Sequence, residues 1–394
     1  MVAVAAAFIL GFGLLASHGM CLPLSENLAA RAKAKDIAES GLQVAMKYVM
    51  SDPNWRTNKT EGLWAKNISC LGGTFAVQAY GSGGFTDPAS AVRLVSTGWY
   101  NGATYKAQAV VTPTTYKVSK GLSVGTTITM STGAKVDSYD SGLGDYSGSN
   151  SGPDAHVATN STATGAVNLG TGAVVYGSVY VGPGGDPDKV VKVGTGAKVT
   201  GSKQAQSSPE PMPTIEVPDI GPTQPAVSYA TGSNNTLISN VHTTSLNMGT
   251  GSTLKIKGNV VIVTEGNFTV NTGARLLVLD GSSLKVYVKG ALTINTGARN
   301  MADGPNLTRL TMYNVGTSTA NLSTGGTLEG VLISPKAAVQ ASTGFHLYGA
   351  VIAKSLSLGT GTAFHEDSKI TSGADAVSLP SAVGGYKAEW LSSW

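Results

Sequence analysis

The tripeptide x-Thr-Gly recurs along the C-terminal two-thirds of this chain, and the recurrence restricts the fold more than any other feature does. Its glycines stand at 133, 172, 196, 251, 273, 297, 325, 344 and 361, with successive spacings of 39, 24, 55, 22, 24, 28, 19 and 17 residues. Six of these eight spacings fall between 17 and 28, the period of a solenoid, and the spacings of 39 and 55 are near two rungs or contain an insertion. Glycine supplies a positive φ at a tight corner, while Thr or Asn before it can hydrogen-bond backbone or stack on its equivalent in the next rung. Short apolar or alternating runs lie between the corners, at 174–181, 253–263, 275–278, 284–288 and 350–353. Each coil is therefore expected to hold about three short strands with Thr-Gly at a corner. Glycine-rich low-complexity disorder is the competing reading, and the Val, Leu and Ile runs argue against it.

Composition agrees with many short strands. Charged residues make up 13% of the 394 residues and glycine numbers 51, which disfavours a charge-driven disordered chain. Lys and Arg number 27 against 23 Asp and Glu, a net charge of +4 spread thinly, so no nucleic-acid footprint is expected. Cys21 and Cys70 are too few for a disulfide framework, and Cys21 lies in an apolar stretch, so an intrachain bridge is not expected.

Residues 1–24 read MVAVAAAFILGFGLLASHGMCLPL, without one charged side chain. At about 1.5 Å per helical residue, this segment is long enough to cross a bilayer core. Residues 25–50 keep helical spacing, with a mostly small-residue stripe of Leu28, Ala32, Ala38, Leu42, Ala45, Met46 and Val49. Gly11, Gly13, Gly19 and Pro23 weaken the front half, and a kink or melted stretch is expected there. Ser51-Asp52-Pro53 should end the helix. No basic leader precedes the apolar run and no small-residue cleavage site follows it, so the run should be retained. Arg31, Lys33 and Lys35 beyond it would hold the rest of the chain in the cytoplasm if Met1 were the start of translation. A leader already removed resolves that conflict.

The expected class is mainly β: a long N-terminal α-helix, a small β layer, then a parallel β-helix or solenoid. The helix takes 1–53, and a small β domain packed on it takes 54–116, with Trp55, Trp64, Phe75 and Trp99 as its core. A first β-helix block covers 117–202 and a second covers 229–380. Between them, 203–228 carries six prolines and cannot be a central strand, so it reads as an extended connector along the solenoid's side or a linker between blocks. A tail over 381–394, with Trp390 and Trp394, is placed to cap the open end of the stack.

Residues with chemistry are sparse. Asp137, Asp140, Asp145 and Asp154 cluster in a Gly/Ser loop that has the oxygen ligands for Ca²⁺, but the spacing fits no EF-hand and the same residues are common turn formers. No other cofactor is indicated. His365, Glu366 and Asp367 are consecutive, and neighbours on a strand point to opposite faces, so they should not converge on one substrate. Neither zinc-type spacing nor a Walker phosphate loop is present, and no enzymatic activity is expected; because parallel β-helices also host polysaccharide lyases and hydrolases, a membrane-anchored carbohydrate-active enzyme is the alternative from another class. Asn58, Asn160 and Asn306 open glycosylation sequons.

Residues 32–54, AKAKDIAESGLQVAMKYVMSDPN, behind an uncharged apolar N-terminus, resemble the N-terminal region of type IV pilin-like proteins of the PilX-like group. Ala38–Leu42 (AESGL) carries the signature. DPNWR at 52–56, VDSYDS at 136–141, VYVGPGG at 179–185 and LYGAVIAKSLSLGTGTAFHED at 347–367 look like the β-helical passenger attached to such helices. The resemblance implies export, with Met1 as a processed N-terminus, transient insertion in the cytoplasmic membrane, and contact with the inner-membrane pilus assembly machinery. It further implies homopolymerisation into a cell-surface filament, with a surface polysaccharide as a candidate target. Met1, Ala5, Phe8, Ile9, Leu10, Phe12, Leu14, Leu15, Pro23 and Leu28 would form the polymerisation core. Pro23 sits where such pilins carry a helix-breaking proline. Ala5 departs from the glutamate usual at that position, which leaves a tip-located minor pilin beside a filament subunit of different register.

Overall fold

The computed structural model describes residues 2–51, 55–81, 91–113, 115–302, 307–372, 378–380 and 386–391, with side chains from Leu24 onward apart from a few positions at element ends. It forms two compact units, Met1–Thr114 with Val383–Trp394, and Thr115–Ala382.

The first unit is built on one helix, α1 (Val2–Ser51), that runs through the glycines and Pro23 without a break. The expected melted stretch is therefore absent: proline removes one backbone donor, but its fixed φ is compatible with a helix whose neighbouring bonds persist. Ala30, Ala34, Ile37, Ala38, Leu42, Ala45, Met46 and Val49 are buried, steps of three and four residues that lay one face on a sheet. That sheet is an antiparallel meander of β1 (Gly62–Cys70), β2 (Gly73–Gly81), β3 (Val92–Tyr100) and β4 (Ala103–Pro113). Tyr386–Leu391 adds a fifth strand beside β4. The strand over 386–391 completes this sheet, where the backbone edge of β4 offers the ladder it pairs with; Trp394 and the side chain of Trp390, read as a cap on the solenoid, lie outside the described residues. Trp55 and Phe75 are buried in this core and Trp64 packs against it, whereas Trp99 is 38% exposed and lies outside it. Among the described residues no helix is long and apolar enough to cross a membrane, and the side chains of residues 1–23 lie outside that description.

The second unit is a parallel β-helix with three strands per coil. Its corners are the Thr-Gly pairs, with the nine sequence-read glycines at φ between 63° and 68°, and a tenth corner, Thr231-Gly232, closes the first rung. Nine of the ten corner glycines, all but Gly196 on the last rung, donate their N–H to the threonine carbonyl of the next rung at 2.9–3.1 Å. Followed along these bonds, the corners read Gly232, 251, 273, 297, 325, 344, 361, then 133, 172 and 196. The stack is thus wound out of chain order. The second block in sequence, from Val227–Tyr229 to Ala363–Asp367, comes first, and the opening strands of the other block stack on its end. At that seam Val351 pairs with Leu122, Leu356 with Ile128 and Ala363 with Lys135.

This winding gives the proline-rich segment its task. Block one finishes at Lys203–Ala205 and block two starts at Val227–Tyr229, at opposite ends of ten rungs. Nine steps at the interstrand spacing make about 43 Å. Residues 206–226 in polyproline geometry reach about 65 Å, so they can run the height of the stack as an external strap. Near one end of the strap Asn160 exchanges two 2.7 Å hydrogen bonds with the Glu210 backbone, and Lys120 pairs with the Glu210 carboxylate at 3.1 Å. At the other end the Gln224 N–H donates to the His242 carbonyl at 2.8 Å, and a His242 ring nitrogen meets the Gly221 carbonyl at 2.6 Å.

Candidate functional site

Outward-facing side chains at one register position form a row along the stack, and on four consecutive rungs one row reads Glu329, Tyr348, His365, Asp137. The last two come from different blocks, so this row crosses the seam. Asp137 Oδ1 lies 2.5 Å from His365 Nδ1, and its Oδ2 accepts the Tyr146 hydroxyl at 2.6 Å. Tyr146 stands on the insertion that accounts for the 39-residue spacing; its ring lies 3.9 Å from that of His365, and Tyr348 stacks on His365 at 4.5 Å. His365 Nε2 is 3.3 Å from Nδ1 of His346. The His365 ring thus bridges the Asp137 carboxylate through Nδ1 and the His346 ring through Nε2, with the direction of the second contact following the tautomer. Burial holds the His346 pKa below the ordinary histidine value, and the adjacent His365 adds to this. Nε2 of His346 is left without a protein partner among the described residues, beside a cleft of about 710 Å³ that also touches Lys135, Tyr146, Tyr176 and Pro153. It can accept a hydrogen bond or a proton from an occupant of that cleft.

The consecutive acids beside His365 go elsewhere. Asp367 accepts from the Ser141 N–H at 3.1 Å and its hydroxyl at 2.7 Å, and burial raises its pKa. Glu366 takes the His156 N–H, lies 3.3 Å from His156 Nδ1 and accepts the Thr371 hydroxyl at 3.0 Å. The hydrogen bond to Glu366, and to a lesser extent its charge, raises the His156 pKa. So each member of the triplet has its own partner in the other block, and together they bolt the seam. Among the described residues the buried carboxylates are Asp137, Glu210, Glu366 and Asp367, all at the seam or on the strap. The rungs within a block are joined covalently; these two contacts are not, and charge-assisted bonds stand where chain continuity is missing.

The aspartates of the insertion are dispersed. Asp137 is engaged as described, Asp140 caps a short 3₁₀ turn by accepting the Gly142 N–H at 2.7 Å, and Asp145 lines a second cavity. Asp154 donates its N–H to the Ser138 hydroxyl at 3.1 Å. Among the described residues no group of three or more His, Cys, Asp or Glu is placed to hold a metal ion. The second cavity, about 180 Å³, is also lined by Tyr146, with Glu329, Asp145, Tyr139 and Tyr348. Burial, with the Asp145 charge second, pushes the Glu329 carboxyl up to about 7. Glu329 and His346 were not singled out from sequence. Their only sequence signal is position: Glu329, four residues past its Thr-Gly corner, shares the register of His365 and Asp137, and His346, two residues past its own, stands in the neighbouring row with Ala363 and Lys135.

Of the polymerisation positions, Leu28 is 60% exposed; the side chains of Met1, Ala5, Phe8, Ile9, Leu10, Phe12, Leu14, Leu15 and Pro23 lie outside the described residues. Cys70 is a free thiol.

Residues 226–372 match DUF7305, a domain of unknown function. The DUF7305 match begins at the first rung of block two and ends with the residues that bolt the seam, so it coincides with one block of the stack. No curated protein matches the chain. Among solved structures the chain is similar to the competence-associated pilin ComZ from Thermus thermophilus, at 13% identity over 92% of this chain and 98% of that one, with a TM-score of 0.22. A likeness of that size carries no argument about this fold or its function.

Proposed function

We propose that the chain is a structural subunit of an extracellular, type IV pilus-like filament that polymerises through its N-terminal helix and displays the β-helix outside. The observation that carries this reading is α1. It lays its Ala30-to-Val49 face on its own sheet, while Leu24 and Leu28 stand 62% and 60% exposed next to 24 residues without a charge. Burying those apolar side chains among neighbouring helices is worth roughly 25 cal/mol per Å². The pilin-like residues at 32–54 agree with that use of the helix. Before assembly the apolar segment sits in the cytoplasmic membrane, where the assembly machinery collects it. The β-helix then faces outward, and a surface polysaccharide is the partner its hydroxyl-rich exterior suits. No reaction is assigned: the acids of the seam are committed to holding two blocks together.

Electron microscopy of native material tests this, with fibres of thin helical core as the expected result. Deleting residues 1–24 should leave a soluble monomer, and filaments persisting in that deletion would overturn the reading. Ala5, in place of a glutamate, favours a minor, tip-located subunit as the second reading. Copy number in purified filaments decides between them, since a trace quantity excludes the major subunit.

A further inference from the structure

The residue two positions after each corner glycine faces outward at the same register on every rung. Along the stack this row reads Asn234, Thr253, Arg275, Arg299, Thr327, His346, Ala363, Lys135, Val174, Lys198. It contains four cations and no carboxylate, and in sequence it is a recurring Thr-Gly-Ala-Lys/Arg at 132–135, 195–198, 272–275 and 296–299. All four cations are exposed, and none has an ion pair among the described residues. Arg275 and Arg299 are direct cross-strand neighbours, an arrangement that is unfavourable for like charges without a counter-ion. The row two residues on carries two carboxyls: Glu329, which feels the Arg299 charge, and Asp137, which is committed to His365 and Tyr146. Beside the cations runs a second ladder, the ten corner threonines, every one of them exposed.

A solvated surface row accounts for isolated lysines. It does not account for one register position that repeats a cation, omits every acid and stacks two arginines. We propose that this row binds a linear acidic polysaccharide, with the Lys and Arg heads on its carboxylates and the threonine ladder on its hydroxyls. This deepens the outward-facing reading above by naming the class of glycan and the residues that hold it. Beyond the arginine pair, the further positively charged or imidazole side chains come every second rung, about 10 Å apart. A nucleic-acid strand carries a phosphate about every 3.4 Å and calls for denser cations or free stacking platforms. The tyrosines nearby are already used, Tyr348 against His365 and Tyr176 beneath Lys198.

The test uses the full chain in detergent, where filament formation plays no part, with immobilised alginate as polyuronate, dextran as neutral glycan and single-stranded DNA as the competing polyanion. Replacing Lys135, Lys198, Arg275 and Arg299 together by Gln should weaken alginate binding by roughly 10- to 100-fold. A control replacing Lys192, Lys285, Lys336 and Lys354 by Gln removes the same charge away from this row and should retain binding. Thr272→Val with Thr296→Val should weaken alginate binding several-fold while leaving its salt dependence unchanged. Equal losses in the two charge variants, equal binding to dextran, or tighter binding to DNA at the same salt would each overturn the proposal. Filaments are scored separately by microscopy, so failure of the filament reading leaves this outcome distinct.

Discussion

Glu329 shows how a single carboxyl is set by its surroundings. Burial opposite Asp145 pushes it up to about 7, so the folded chain holds the proton more tightly than an unfolded one does. A raised value in the folded state means that its contribution to stability is fully present below the unfolded pKa, near 4.3, and is lost as pH rises through about 7. Glu329→Gln should therefore match the parent at pH 4 and exceed it at pH 8, by on the order of 2 kcal/mol after allowing for partial exposure. Thermal unfolding of both proteins across that range checks it; a gap that does not change with pH would show that the charge is not the cause. His242 works with the same sign on the strap. Its hydrogen bond to Glu265, and then that to the Gly221 carbonyl, raises its pKa. Its hold on the strap is full below about 6.5 and is lost as pH rises through the raised value. Amide protection near Gly221, taken relative to the intrinsic exchange rate at each pH, should fall across that window in the parent and not in His242→Ala.

At the scale of elements, the Thr-Gly corners were legible because the requirement is local: a positive φ at each corner admits glycine at little cost. Even there, Asn271 and Asn295 extend a side-chain ladder up from Asn247 at 2.8 and 2.9 Å, so the residue before Thr works as read. For Trp99, size and scarcity indicate a core residue, whereas its place near the end of its strand leaves it in solvent. The seat of α1 on its sheet was also invisible, since it depends on two glycines far apart in sequence. A Cβ on Gly41 would come 2.5 Å from Ser96 Oγ, and one on Gly98 would come 2.4 Å from the Ala34 carbonyl. The Gly98 contact is with helix backbone, which cannot move aside. Gly98→Ala should therefore cost about 1–3 kcal/mol of overpacking and shift the helix off β3. Gly273→Ala, whose φ is +64° with open space around it, should lose only about 1 kcal/mol through backbone strain. Reversed ranks of those two losses in denaturant unfolding would mean that the close helix seat is not a tight one.

Across the whole molecule, sequence could not give the winding order, because parallel rungs of similar composition stack in many ways. His365 finds Asp137 at a separation of 228 residues, and no local pattern announces that pairing. The order has a mechanical consequence. Block two supplies most of the ten rungs as a continuous chain, whereas block one adds the last few and joins it only by stacking, the seam bonds and the strap. Block one also ends in strands carrying Lys192, Lys198 and Lys203, which discourage further edge pairing and leave it with one buried neighbour. Its protection against unfolding is thus borrowed through the seam. Removing one partner of a buried charged contact there leaves the other without compensation, at about 3–5 kcal/mol. Ser141→Ala with His365→Ala should therefore open block one ahead of block two. Hydrogen-exchange mass spectrometry is expected to show early loss of protection in peptides from 122–139, 155–181 and 191–205, with 246–294 unchanged. If the two blocks lose protection together in that variant, the seam is not the joint and the strap alone sets their coupling.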